Sequence, residues 1–164
     1  LSGGPFVVRR FREGDVPELI ELMRGLAAFE GYLDEFRVTP ADLIEHGLGD
    51  TPRFEAYVAQ ASASSPLAGM AVIYQIPWTY DLRPTLVLKE LFVADGARGR
   101  GVGKALLRRV ASRAAELDCP RVHWTVLENN SAAIRFYREL GARRDTVWQH
   151  WLLDAPGIEA LQAE

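Results

Sequence analysis

The sequence is poor in several features that would narrow its role at once. It has one cysteine, Cys119, in 164 residues, so no disulfide can close within the chain and a reducing, cytoplasmic setting is expected. Its three histidines, His46, His123 and His150, are too scattered to share metal-ligand spacing, and no metal site is expected. No apolar run approaches membrane-spanning length, and no charged-then-apolar segment leads the chain. Charge of one sign is not in large excess. The 19 basic and 22 acidic residues leave a net charge of −3, which argues against nucleic-acid binding while permitting a cationic ligand. Repeats, low-complexity tracts and linkers are also lacking. With 48% apolar and 25% charged residues, the composition is that of an ordinary globular protein with a proper core. One domain is expected over 5–155. Leu1-Ser2-Gly3-Gly4 is set aside as an expression remnant or disordered leader, and 156–164 as a C-terminal tail.

The chain is organised around Thr85 to Leu107, TLVLKELFVADGARGRGVGKALL. Leu86 to Val93 is rich in branched and aromatic residues and reads as a strand that breaks at Ala94-Asp95-Gly96. From Val102 onward, Leu106, Leu107, Val110, Ala114 and Leu117 recur at helical spacing. Between the two lies Arg98-Gly99-Arg100-Gly101-Val102-Gly103. Alternate glycines let the backbone approach a ligand with no Cβ in the way. Helix-start amides make an anion site there, and Arg98 and Arg100 add full charges. The loop reads as a pyrophosphate cradle. It is not a Walker loop, because Gly103-Lys104 is followed by Ala105 and the upstream glycine would fall on Arg98. The dinucleotide fingerprint fails as well, since the third glycine comes one residue early and no βαβ unit precedes it.

Taken in order, Phe6 to Arg10 reads as a first strand. Asp15-Val16-Pro17-Glu18 opens a helix with an N-cap acid and an early proline; its stripe is Leu19, Leu22, Met23 and Leu26, and Gly31 stops it. Thr39-Pro40-Ala41-Asp42 starts a shorter helix ending at Gly47. Phe54 to Gln60 and Leu67 to Ile76 form a hairpin, and Pro77 to Pro84 is a loop bearing Trp78 and Tyr80. After the long helix, Arg121 to Leu127 is expected as a strand, Ser131 to Leu140 as a helix closed by Gly141, and Thr146 to Leu153 as the final strand. Lys104, Arg108, Arg109 and Arg113 form a basic stripe, expected to be largely a solvated helix face. Trp148 and Trp151 are expected to pack or to serve a dimer. The order implies an α/β (α+β) fold with a mixed sheet, helices on both faces and a right-handed parallel crossover from Thr85 to Leu127.

The Arg-x-x-Gly-x-Gly loop, set after a strand and opening a helix, resembles the acetyl-CoA loop of the GNAT N-acetyltransferases. Val126 to Tyr137, VLENNSAAIRFY, is also similar to that family. Leu26-Ala27-Ala28-Phe29-Glu30, Thr39 to Leu43 and Gly47-Leu48-Gly49 resemble its diamine, polyamine and thialysine N-acetyltransferases. The resemblance implies a mostly antiparallel sheet around the crossover, acetyl-CoA as co-substrate, a small-molecule amine as acceptor and a homodimer. It further implies that Leu91, Phe92 and Val93 meet pantetheine through backbone groups. Arg98, Gly99, Arg100, Gly101, Val102, Gly103 and Lys104 would hold the pyrophosphate, and Asn130 and Ala133 would line the cofactor. Phe29, Glu30, His123, Trp124 and Thr125 would border the amine, with Lys89 beside them, and Tyr137 would be the acid.

The chemistry needs those roles. An amine attacks a thioester, a thiolate leaves, and a tyrosine hydroxyl can protonate it. A backbone donor from Leu91 to Val93 would steady the oxyanion. The amine must lose a proton, its ordinary pKa being about 10, and Glu90 is the candidate base. Each has a plain structural reading too: Tyr137 as a core tyrosine with its hydroxyl satisfied, Glu90 as a strand carboxylate paired with an arginine. One position departs from the polyamine enzymes, which carry two adjacent acids in the central strand where this chain has Lys89-Glu90. Adjacent strand residues face opposite sides unless a bulge intervenes, so a lysine there disfavours a long polycation and fits a shorter or zwitterionic amine. A protein N-terminus or lysine as acceptor, and a catalytically silent acyl-CoA sensor, are the alternatives.

Overall fold

The computed structural model describes residues 6–162, and Leu1 to Gly4 and the end of the expected tail lie outside the described residues. The chain falls into two compact units, Leu1–Leu127 and Glu128–Glu164. The first is built on one sheet of five strands in the order β1 (Val7–Arg10), β2 (Glu55–Gln60), β3 (Leu67–Ile76), β4 (Thr85–Val93) and β5 (Val122–His123). All neighbours are antiparallel except β4 and β5, which are parallel and joined by helix α3 (Val102–Glu116). This is the expected crossover inside a mixed, mostly antiparallel sheet.

Alternation along the strands divides the core in two. Tyr57, Ala59, Ala71, Ile73, Leu86 and Leu88 point to α3 and its buried stripe of Val102, Leu106, Val110 and Ala114. Ala56, Val58, Met70 and Val72 point the other way, to helix α1 (Val16–Glu30) and to Leu43 of α2 (Pro40–Leu43). Both faces being covered explains why every residue of β2 is buried. α1 buries the expected stripe and ends at Gly31, whose φ of 87° closes the last turn as its N–H bonds Ala27 O at 2.9 Å.

Asp15 does not cap α1 with its side chain. Its carboxylate instead accepts from the Arg12 N–H and pairs with Arg9, Oδ2 to Nη1 2.6 Å. Thr39 does cap α2, its Oγ1 accepting from the Asp42 N–H. The helix then widens into a π turn over Ile44–Leu48. The strand expected over Arg121 to Leu127 pairs only as β5, Val122 with Leu86 and His123 with Val87. Just beyond Val87, β4 bulges at Lys89; Trp124 packs against the α3-side core.

The second unit carries α4 (Ser131–Glu139) and α5 (Ala155–Gln162), the latter where a tail was expected. No strand forms over Thr146 to Leu153. Val147, Trp148, Trp151 and Leu152 are 73–89% exposed, and an extended apolar run without a paired neighbour cannot hold as a strand.

Candidate active site

The loop after β4 turns through a short 3-10 segment, Asp95–Ala97, and reaches α3 by way of Gly99 and Gly101, whose φ values are 71° and 87°. Side chains rarely adopt that conformation, which is why glycine stands at both positions. Gly101 is the N-cap of α3. No side chain caps the helix, no acid lies in its first turn, and a Cβ at either glycine would meet nothing within 4 Å. Its first intrahelical bond is Ala105 N–H to Gly101 O, 3.0 Å, so the amides of Val102, Gly103 and Lys104 precede the ladder and are available to an anion. A pyrophosphate would fit this open helix start, which Arg100 and Lys104 flank in sequence.

Arg98, expected among the phosphate ligands, contacts the groove side of the loop. Its guanidinium donates to Val93 O at 3.2 Å, pairs with Asp95 at 2.8 Å and lies over the Phe29 and Phe92 rings at 5.9 and 5.8 Å. It crosses the end of an open groove of about 770 Å³ that runs along α1 from Pro17 and Glu21 to Phe29 and Phe92. Gly25 makes this packing possible, because a Cβ there would sit 2.9 Å from the Phe92 ring. Arg100 lies over Phe6 at 5.5 Å. The basic stripe on α3 is also not a free surface. Arg113 is bound to Glu55 and Glu116, and Arg109 to Glu116, stacked on Tyr57 at 4.8 Å.

The most informative geometry is the bulge. Leu88 pairs with Ile73 and Glu90 with Val72, which leaves Lys89 as the extra residue on β4. The slip reverses the faces: Leu86 and Leu88 point to α3, whereas Glu90, opposite Val72, lies on the α1 face. Leu91 and Val93 then pack toward α3 and Phe92 toward α1. Lys89 is exposed and Glu90 half-buried, with its Oε2 atom buried and without a hydrogen-bond partner among the described residues. The expected arginine partner for Glu90 is not there. Burial pushes the Glu90 carboxyl above the ordinary carboxylate range; the Lys89 charge pulls it back and Glu30 adds a further push. Past Val87 the β5 edge of β4 has no strand pairing among the described residues.

Two residues at this site were not anticipated. Tyr32, just past the α1 stop, and Tyr74 on β3 both have phenols raised by burial and by the Glu90 charge, with Glu30 adding to Tyr32. Tyr74 is two residues along β3 from Val72, so strand alternation places it on the Glu90 face. That signal was present in the sequence once the pairing was known. Phe29 and Glu30 stand exposed at the end of α1. Trp78 is turned to Arg121 at 4.6 Å. His123 and Trp124 are half-buried and Thr125 exposed. In the second unit, Asn130 caps α4, its Oδ1 accepting from the Ala133 N–H at 3.1 Å. Tyr137 is half-buried on α4, its ring 5.4 Å from Phe136. Among the described residues no three His, Cys, Asp or Glu gather to hold a metal, and no helix is long and apolar enough to cross a membrane.

Residues 20–142 match the model of the acetyltransferase (GNAT) family. The chain is 33% identical over 144 residues to the human spermidine/spermine N(1)-acetyltransferase-like protein 1, a match covering 84% of this chain and 20% of that protein. It is 28% identical over 151 residues to the thialysine N-epsilon-acetyltransferase of Sus scrofa, with 88% of each covered. In fold it is similar to an integron cassette protein from the mobile metagenome of V. cholerae, with a TM-score of 0.77 at 22% identity, covering 99% of this chain and 100% of that one.

Proposed function

The chain belongs to the GNAT acetyltransferase family, and we propose that it moves the acetyl group of acetyl-CoA by direct attack in a ternary complex onto a small-molecule primary amine. The acceptor is of the diamine, polyamine or lysine-analogue class. Acetyl-CoA supplies an acetyl group already activated as a thioester. The amides at the start of α3, with Arg100 and Lys104, hold its diphosphate, and the free edge of β4 aligns its arm. Asn130 and Ala133 would line the cofactor, a role the family resemblance implies.

The observation that carries the reading is Glu90. A buried carboxylate oxygen with no partner, raised in pKa and set beside an exposed Glu30, is suited to receive an ammonium and take up its proton. Backbone N–H groups from Leu91 to Val93 stabilise the negative oxygen as the amine adds. Tyr137 is assigned the proton donor to the departing sulfur, a role supported by the family resemblance. A homodimer in the cytoplasm, one acetyltransferase domain over 5–155, and no nucleic-acid or membrane partner complete the reading. The lone Cys119 and the resemblance support it.

Thermal protection with acetyl-CoA, ATP and NAD, followed by turnover on a panel of amines, tests it. At a hundredfold excess over Kd a ligand adds about 2.7 kcal/mol, roughly 5–10 °C for a chain of this size. Protection by acetyl-CoA alone, with acetylation of small amines, is expected. Equal protection by ATP overturns the cradle. Turnover of peptides only overturns the small-molecule acceptor, and protection with no turnover makes the protein an acyl-CoA sensor.

A further inference from the structure

We infer that Lys89 selects acceptors bearing a carboxylate as well as the amine that is acetylated, so that the enzyme prefers amino-acid-type zwitterions to diamines of the same length. This rests on the reading of Glu90 as the group that receives the amine. The bulge leaves Lys89 as the residue of β4 without a cross-strand partner. The side chain is exposed, and among the described residues no carboxylate lies within ion-pair distance of it. It is one residue from Glu90 and close enough for the two charges to interact. The two residues therefore present a buried acid oxygen without a hydrogen-bond partner and, next to it in the chain, an exposed cation in no ion pair among the described residues.

A ligand that satisfies both carries one positive and one negative group. The ammonium meets Glu90, where burial makes the contact strong. The carboxylate meets Lys89 at the surface, where the attraction is modest and screened. A diamine meets the same lysine with a second ammonium and is repelled. Glu30, exposed near the end of α1, is the opposing charge and favours the diamine. Lys89 and Glu30 thus pull selectivity in opposite directions, and removing Lys89 leaves the field to Glu30.

L-Lysine and cadaverine differ only by the carboxylate, as do L-ornithine and putrescine, so each pair isolates the group in question. The quantity read is the ratio of kcat/KM for the amino acid to that for its diamine. Intrinsic differences between the two ligands cancel when that ratio is compared across variants. Lys89→Gln is expected to lower it about fivefold, the scale of one exposed ion pair. Lys89→Glu should lower it further, on the order of 25-fold, since attraction and repulsion both reverse. Lys89→Arg should keep most of it. A ratio that stays within twofold in both Lys89→Gln and Lys89→Glu, in protein with native circular dichroism and acetyl-CoA protection, overturns the assignment. Calorimetry of the same four ligands reads the ratio as affinity. If no amine is acetylated, the transfer reading fails; an affinity ratio that still tracks the charge at residue 89 upholds the selectivity, and one that does not overturns it.

Discussion

Two glutamates are drawn into the same sheet, one on each face, and their surroundings could hardly differ more. Glu55, on the α3 face, is 7% exposed and fully engaged. Arg113 grips it with Nη2–Oε1 at 2.8 Å and Nε–Oε2 at 3.0 Å, while the Tyr57 hydroxyl donates at 2.6 Å and Gln75 at 3.1 Å. Burial raises its pKa, but the hydrogen bonds from Arg113 and Tyr57 outweigh burial and hold it below the ordinary range. Burial, helped by the hydrogen bond to Glu55 and its charge, pushes the Tyr57 phenol up to about 12 against the pull of Arg109 and Arg113. Glu90, on the α1 face, has an oxygen with no partner and a pKa raised by burial. A satisfied buried network fixes one arrangement of α3 on the sheet. An unsatisfied one costs stability, and a fold tolerates it where the open valence has work to do.

The sharpest way to break this comparison is to neutralise each acid in turn. Glu90→Gln is expected to lower the acetylation rate on the order of 10²–10⁴-fold with no loss of melting temperature. Glu55→Gln should do the reverse. It takes from Arg113 its buried charge partner and leaves only the more exposed Glu116, at a cost of about 3 kcal/mol, and retains the rate at temperatures where the protein is folded. Thermal melts and saturating kinetics on both variants check the pair. A stable Glu55→Gln, or a Glu90→Gln with native turnover, would collapse the distinction. Tyr137→Phe sets the scale for the other half of the proton transfer. A thiolate is a fair leaving group, the ordinary thiol pKa being about 8.5, so the loss in kcat should lie near the lower end, about 10²-fold. A kcat within twofold of wild type, with chemistry rate-limiting, would remove Tyr137 from the mechanism.

Features encoded locally could be read before the fold was known. The glycine loop is contiguous, from Arg98 to Lys104, and Gly99 and Gly101 in it have positive φ. α1 and its Gly31 stop, the β2–β3 hairpin and the start of α3 follow from periodicity and turn chemistry. What could not be read depends on partners. The bulge at Lys89 is set by pairing with Val72 and Ile73, so a run such as Leu88-Lys89-Glu90-Leu91 carries no mark of which residue is extra. Glu55 and Arg113 are 58 residues apart, and nothing in either segment announces the other. Arg98 adjoins the glycines in sequence, but its place over aromatic rings of α1 and β4 depends on how those elements pack. Thr146 to Leu153 misled for a related reason: apolar alternation needs a neighbouring strand to become a strand.

The smallest expected effect is also the most direct test of the electrostatics, because the two glutamates should tilt stability against pH in opposite directions. For Glu90 the native pKa lies above the ordinary value of about 4.3. Within the window from that value up to the raised one, the native state binds more protons than the unfolded chain, so stability falls as pH rises, and the full cost is present above the window. For Glu55 the native pKa lies below the ordinary value. Its contribution is full above that value and is lost as pH falls through the lowered one. The melting temperature of Glu90→Gln minus that of wild type should therefore grow from pH 4 toward neutrality. The deficit of Glu55→Gln should be greatest near neutrality and shrink toward acid. Slopes rather than offsets carry the test, since exchanging a carboxylate for an amide also alters packing in ways that do not depend on pH. Differential scanning fluorimetry from pH 3.5 to 7.5 on the ligand-free proteins reads both slopes at once. A flat difference for Glu90→Gln would mean that its carboxyl titrates as it does in the unfolded chain, and the contrast between the two faces would then rest on packing alone.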